Sequence, residues 1–130
     1  MKASIDQSLP IRTQSRLTNR FNSSRWDHYV PRDGDVVVAT YQKCGTTWME
    51  HILVNLFHHG EEVPVVRDVA PWLEFRFAPG IPGGEYPAEE AIALLERQTH
   101  RRQIKTHLPL NCLPYYPAVR YIVVEVVRDL

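Results

Sequence analysis

The run Val36-Val37-Val38-Ala39-Thr40 constrains this chain more than any other feature. It is short, β-branched and uninterrupted by charged positions, and it follows the turn signal Pro31-Arg32-Asp33-Gly34. A strand with one wet face alternates apolar and polar residues. A continuous apolar run does not, so the spacing predicts a strand covered on both faces, as in a parallel sheet. A loop follows, and then Thr46 and Thr47 stand where they could cap a helix. Within that helix Trp48, Ile52, Leu53, Leu56 and Phe57 recur at helical spacing through His59, with Gly60 as the stop. Strand, loop, helix is the organising unit.

The same alternation continues downstream. Pro87-Ala88-Glu89-Glu90 opens a second helix with Ala91, Leu94, Leu95 and Gln98 along one face. Its acidic first turn, and Arg97, His100, Arg101 and Arg102 toward its end, suit the helix dipole. Gln103-Ile104-Lys105-Thr106 reads as a second strand and Tyr121 to Val127 as a third, with Glu125 amid apolar neighbours. Strands alternating with helices give an α/β fold, a P-loop-like parallel β-sheet flanked by helices. Three strands make a thin sheet, so the chain reads as truncated after the third strand. Residues 61–87 form a long loop rich in Pro and Gly. Its Trp72, Leu73, Phe75 and Phe77 are more apolar than a linker needs, which marks it as functional or mobile. Residues 1–30 read as an irregular N-terminal segment, with Trp26 and Tyr29 as the first anchors, and 31–130 as the domain proper.

Charge and composition exclude several classes. Lys plus Arg number 15 and Asp plus Glu number 15. Zero net charge argues against a nucleic-acid or anionic-membrane binder, whose affinity comes from a basic surplus. No stretch approaches the roughly 20 apolar residues of a membrane span, and the N-terminus lacks a signal-peptide core. Cys44 and Cys112 stand far apart with no CxxC pair, which suggests free thiols in a reducing, cytoplasmic setting, a single disulfide being the alternative. His28, His51, His58, His59 and His100 show no metal-site spacing, so no metal is expected. The adjacent His58-His59 at a helix end reads as surface.

The chemistry is concentrated in Thr40-Tyr41-Gln42-Lys43-Cys44-Gly45-Thr46-Thr47-Trp48. A helix N-terminus presents unpaired backbone N–H groups and partial positive charge, an anion site. Gly45 admits close backbone approach, Thr46 and Thr47 add hydroxyls, and Lys43 adds a full charge. The Lys precedes the Gly, so this is not the Walker spelling of nucleotide triphosphatases, which weighs against a P-loop kinase acting on ATP. The segment resembles the 5′-phosphosulfate loop of the cytosolic-type sulfotransferases, written T-Y-P-K-S-G-T-T-W. Gln42 stands for the family's Pro and Cys44 for its Ser, and the approach Arg32 to Ala39 is also similar. A second segment, Lys105-Thr106-His107-Leu108-Pro109, resembles the wording around the family's catalytic base. A third, Val126-Val127-Arg128-Asp129, resembles the start of its 3′-phosphate motif.

The resemblance implies an amino-terminal half of a sulfotransferase using 3′-phosphoadenosine 5′-phosphosulfate (PAPS) as co-substrate, with a small hydroxyl or amine acceptor. It implies His107 as general base and Lys43 as the charge on the sulfuryl group, with Lys105 in support. Lys43, Cys44, Gly45, Thr46, Thr47, Trp48 and Arg128 would hold PAPS. Pro71-Trp72-Leu73-Glu74 resembles a segment bordering the family's acceptor pocket; with Phe75, Phe77 and His107, Trp72 would line it, ordinary core packing being the alternative. A homodimer or a chain completing the sheet is the expected partner. The rival expectation is a catalytically inactive fragment or nucleotide-binding module.

Overall fold

A computed structural model of the chain describes residues 9–41, 45–77 and 85–125. Strand β1 is Val36–Thr40, helix α1 is Thr46–Phe57, helix α2 is Ala88–Glu96, strand β2 is Gln103–Thr106 and strand β3 is Arg120–Val124. Short 3-10 turns lie at Ser23–His28, Val66–Asp68 and Leu110–Cys112. The three strands form one parallel sheet in the order β2-β1-β3, with Val37 opposite Ile104 on one side and Tyr121 on the other. The expected parallel α/β architecture is present. Among the described residues no helix is long and apolar enough to cross a membrane.

β1 is central, and all five of its residues are buried, as its unbroken apolar run requires. Alternate side chains point to opposite faces. Val36 and Val38 meet Leu53 of α1, with Met49, Phe57 and Ile122 packed alongside. Val37 and Ala39 enter a larger cluster with Trp26, Tyr29, Leu73, Leu95 and Ile104. The segment before β1 is thus part of this core: Trp26 and Tyr29 are almost fully buried, and Phe21 bridges to Phe75. Below the sheet, Asp35 accepts from Arg102 Nε at 2.9 Å and Nη2 at 2.5 Å, from the Tyr29 hydroxyl at 2.6 Å and from the Arg32 amide at 3.0 Å. Burial pushes the Asp35 carboxyl up, but the donors outweigh it and hold the group below the usual aspartate value.

Several expectations need correction. Gly45, not a Thr side chain, is the N-cap of α1, and no side chain caps that end. The stripe Trp48, Ile52, Leu56 defines the helical period but faces outward, whereas Thr46, Glu50, Leu53 and Val54 are buried. The reason is geometric: α1 lies along β1, and the side chains nearest the strand face it whatever their polarity. His58 is buried against the His100 ring, centroids 4.0 Å apart, so only His59 of that pair is surface. α2 ends at Glu96 with no basic residue in its last turn and Arg97 as its C-cap, yet Arg102 still serves that end: its Nη1 donates to the Leu95 carbonyl at 3.2 Å while Nε and Nη2 bind Asp35. Glu125 is exposed, so the third strand carries no buried carboxylate there.

Candidate active site

The site lies at the carboxyl ends of β1 and β2, the edge where open α/β sheets gather ligands. Gln42, Lys43, Cys44 and Arg128 fall outside the described residues. Gly45 adopts φ +96°, a left-handed conformation that glycine tolerates and a Cβ does not. It leads into α1, whose first N–H groups have no intrahelical partners and no side-chain cap. Thr46 turns its hydroxyl inward to the Thr40 hydroxyl, which joins the helix start to the end of β1. Thr47 and Trp48 stay exposed on the cavity side. A donor-rich, uncapped helix end beside a left-handed glycine fits a phosphate or sulfate group.

His107 follows β2 directly. Its Nδ1 lies 2.8 Å from the Thr40 carbonyl oxygen. A carbonyl can only accept, so Nδ1 carries the proton and Nε2 keeps its lone pair. Burial lowers the imidazole's proton affinity, the Lys105 charge lowers it further, and the Thr40 contact opposes them without prevailing. The ring is therefore a neutral base at pH 7. Trp72 meets it edge-on at 4.9 Å, and Phe75 stacks on Trp72 at 4.2 Å with 10° between planes. Phe77 continues the row at 6.2 Å. The Lys105 Nζ sits 4.5 Å over the Trp72 ring, so this cation is held by an aromatic face.

A cavity of about 610 Å³ is lined by Gly45, Thr46, Thr47, Trp48, Lys105 and His107, together with Arg20, Trp72 and Phe75. A second, of about 490 Å³, shares Thr47, Trp72, Phe75 and Lys105 and extends to Phe77, Tyr86 and Glu50. The structure therefore brings His107, Lys105, the start of α1 and the aromatic wall to one place. Three residues were not singled out from the sequence for this site. Thr40 was legible only as part of the loop, and Glu50, whose carboxyl burial pushes up while Lys105 pulls it down, carries no motif. Nor was Glu74 weighed as chemistry, though it sits in the Trp-Leu-Glu stretch. Among the described residues no group of three or more His, Cys, Asp or Glu is arranged to hold a metal ion.

A family model for the sulfotransferase domain matches residues 33–129. The chain belongs to that family. A glycolipid sulfotransferase of Mycobacterium tuberculosis is 38% identical over 101 residues, covering 77% of this chain and 28% of the relative. Sulfotransferase 1A1 of Rattus norvegicus is 39% identical over 85 residues, 62% of this chain and 26% of the relative. Sulfotransferase 1B1 of Mus musculus is 35% identical over 97 residues, 72% of this chain and 30% of the relative. The matched stretch thus spans less than a third of the length of these curated relatives.

Proposed function

We propose that this sulfotransferase-family chain carries the base-bearing half of a PAPS-dependent site that sulfates a hydroxyl or amine on a small hydrophobic acceptor. The observation that carries it is the neutral His107, its Nε2 without a hydrogen-bond partner among the described residues, on the same cavity as the uncapped start of α1. Gly45, Thr46 and Thr47 would hold the 5′-phosphate, Cys44 would flank it, Trp48 would lie near the adenine, and Arg128 would take the 3′-phosphate. Bound there, PAPS supplies the sulfuryl group and leaves as adenosine 3′,5′-bisphosphate. His107 Nε2 takes the acceptor's proton, Lys43 offsets charge on the departing oxygen, and Lys105 keeps the imidazole neutral. Trp72, Phe75 and Phe77 form the wall for the acceptor's apolar body. The catalytic unit is residues 31–130 in a cytoplasmic setting, with a second copy or a completing chain extending the sheet.

The first test is calorimetric titration with adenosine 3′,5′-bisphosphate beside Lys43→Ala and Arg128→Ala. Saturable binding, weakened in both variants, is expected. A folded chain that does not bind the bisphosphate sinks the proposal. With PAPS and a phenol, His107→Ala is expected to lower transfer by about 10²-fold or more, the scale of a lost general base.

A further inference from the structure

The interior beneath the aromatic wall holds an anomaly. Glu74 has no exposed surface, and its Oε1 accepts a 2.5 Å hydrogen bond from the Thr106 hydroxyl, 32 residues away. The indole N–H groups of Trp26 and Trp72 are the other side-chain groups acting on this carboxyl. Neither closes to a hydrogen bond, and Trp26 Nε1, Trp72 Nε1 and Glu74 Oε2 are all buried without a partner among the described residues. Three orphaned polar groups around one carboxyl need an explanation, since buried polar groups in folded proteins are nearly always paired. A cluster serving stability alone would be better filled with apolar side chains.

Of the three side chains acting on Glu74, Thr106 and Trp72 lead to His107. Thr106 precedes it in the chain, and the Thr106 hydroxyl also accepts from the Leu108 amide at 3.1 Å. That hydroxyl therefore clamps the backbone on both sides of His107 while donating to Glu74. Trp72 packs its ring edge-on to the imidazole and carries Lys105 on its face. Trp26 anchors the far side of the cluster in the core. We infer that Glu74 is a positioning residue, a buried carboxyl that fixes the His107 imidazole through Thr106 on one side and Trp72 on the other. The inference rests on the reading of His107 as the base of the proposed reaction. Burial pushes the Glu74 carboxyl up to about 8, against the opposing pull of Thr106 and the two indoles. It is thus neutral at pH 7, and glutamine is its natural replacement: the same shape, an acceptor oxygen and no charge.

The test compares Glu74→Ala, Glu74→Gln and Thr106→Val with the unaltered chain, following His107 ring signals by NMR across pH and, separately, steady-state transfer. Glu74→Ala is expected to raise the His107 pKa toward its ordinary value. It should also lower kcat roughly tenfold or more, the scale on which outer partners of a functional imidazole act, with a smaller change in KM. Glu74→Gln should restore both at pH 7. The unaltered chain, but not Glu74→Gln, should show a second inflection in the His107 signals near the Glu74 value. If Glu74→Ala does not fold, Thr106→Val, which removes the hydroxyl's links to Glu74 and to the Leu108 amide together, must shift His107 in the same direction. An unmoved His107 signal in folded Glu74→Ala or Thr106→Val overturns the inference, and so does Glu74→Gln behaving like Glu74→Ala at pH 7. A His107 shift in a chain that transfers no sulfuryl group upholds the positioning role and removes the proposed function instead.

Discussion

The two faces of β1 are unequal partners. One face, through Val37 and Ala39, meets the segment around Trp26 and Tyr29, helix α2, and the Trp72–Phe75 loop in one large cluster. The other, through Val36 and Val38, meets α1 chiefly at Leu53, with Met49, Phe57 and Ile122 only partly covered. On the outer side of α1, Trp48 is 77% exposed and Leu56 65%. The first face carries the bulk of the core; the second carries α1, whose start shares a cavity with His107, Lys105 and the aromatic pair Trp72 and Phe75. Most of the core thus lies on one side of a single strand and the cavity at the start of α1 on the other, and damage to one should be separable from damage to the other.

The comparison can be broken hardest at Asp35→Ala, which leaves the Arg102 guanidinium buried and unpaired. A loss of about 3–5 kcal/mol in denaturant unfolding is expected. Acid titration of the unaltered chain should show the same contact. The Asp35 value is depressed on folding, so its contribution is present above the unfolded aspartate range and is lost as pH falls through the folded value. Next comes Leu95→Ala on the heavy face, at about 2–5 kcal/mol, with Leu53→Ala on the α1 face expected at the lower end of that range. A pH effect sharpens the contrast further. The Glu74 carboxyl is raised on folding, so the folded state binds more protons than the unfolded one between 4.5 and about 8. Tm should therefore fall as pH rises through that window, and the slope attributable to this group should vanish in Glu74→Gln. Smallest of all is Leu56→Ala on the outer side of α1, expected within about 0.5 kcal/mol of the unaltered chain. A loss there as large as at Leu95 would mean that the two faces are equally committed to stability.

Much of this was legible in the sequence where the signal is local. The unbroken run of β1, the Pro-capped start of α2 and the short strand before His107 announce themselves through period and punctuation, and the two motifs draw the helix start and His107 to one sheet edge. What was hidden depends on pairing across distance. The spacing of Trp48, Ile52 and Leu56 reveals a helix but not which side lies against the strand, because a helix has several apolar lines and only the tertiary contact chooses one. The Trp26 segment looked irregular because a 3-10 turn has no long period, and its anchoring follows from two aromatic side chains finding the core. Glu74 is one acidic letter among apolar ones, and nothing local tells that its partner is Thr106. His58 was misjudged for a similar reason: its burial is set by His100, 42 positions on.

Thr40 offers a different kind of lesson. Its hydroxyl meets Thr46 at the first position of α1, and its carbonyl accepts a hydrogen bond from His107 Nδ1. One residue is therefore a common hinge pin for the group that would feel an anion and the group that would accept a proton. A thermodynamic cycle built on these two events must close, so whatever factor an anion at the helix start applies to the imidazole's proton affinity, the proton returns to the anion's affinity. The two equilibria share an axle, and titrating either one is a way of measuring the other.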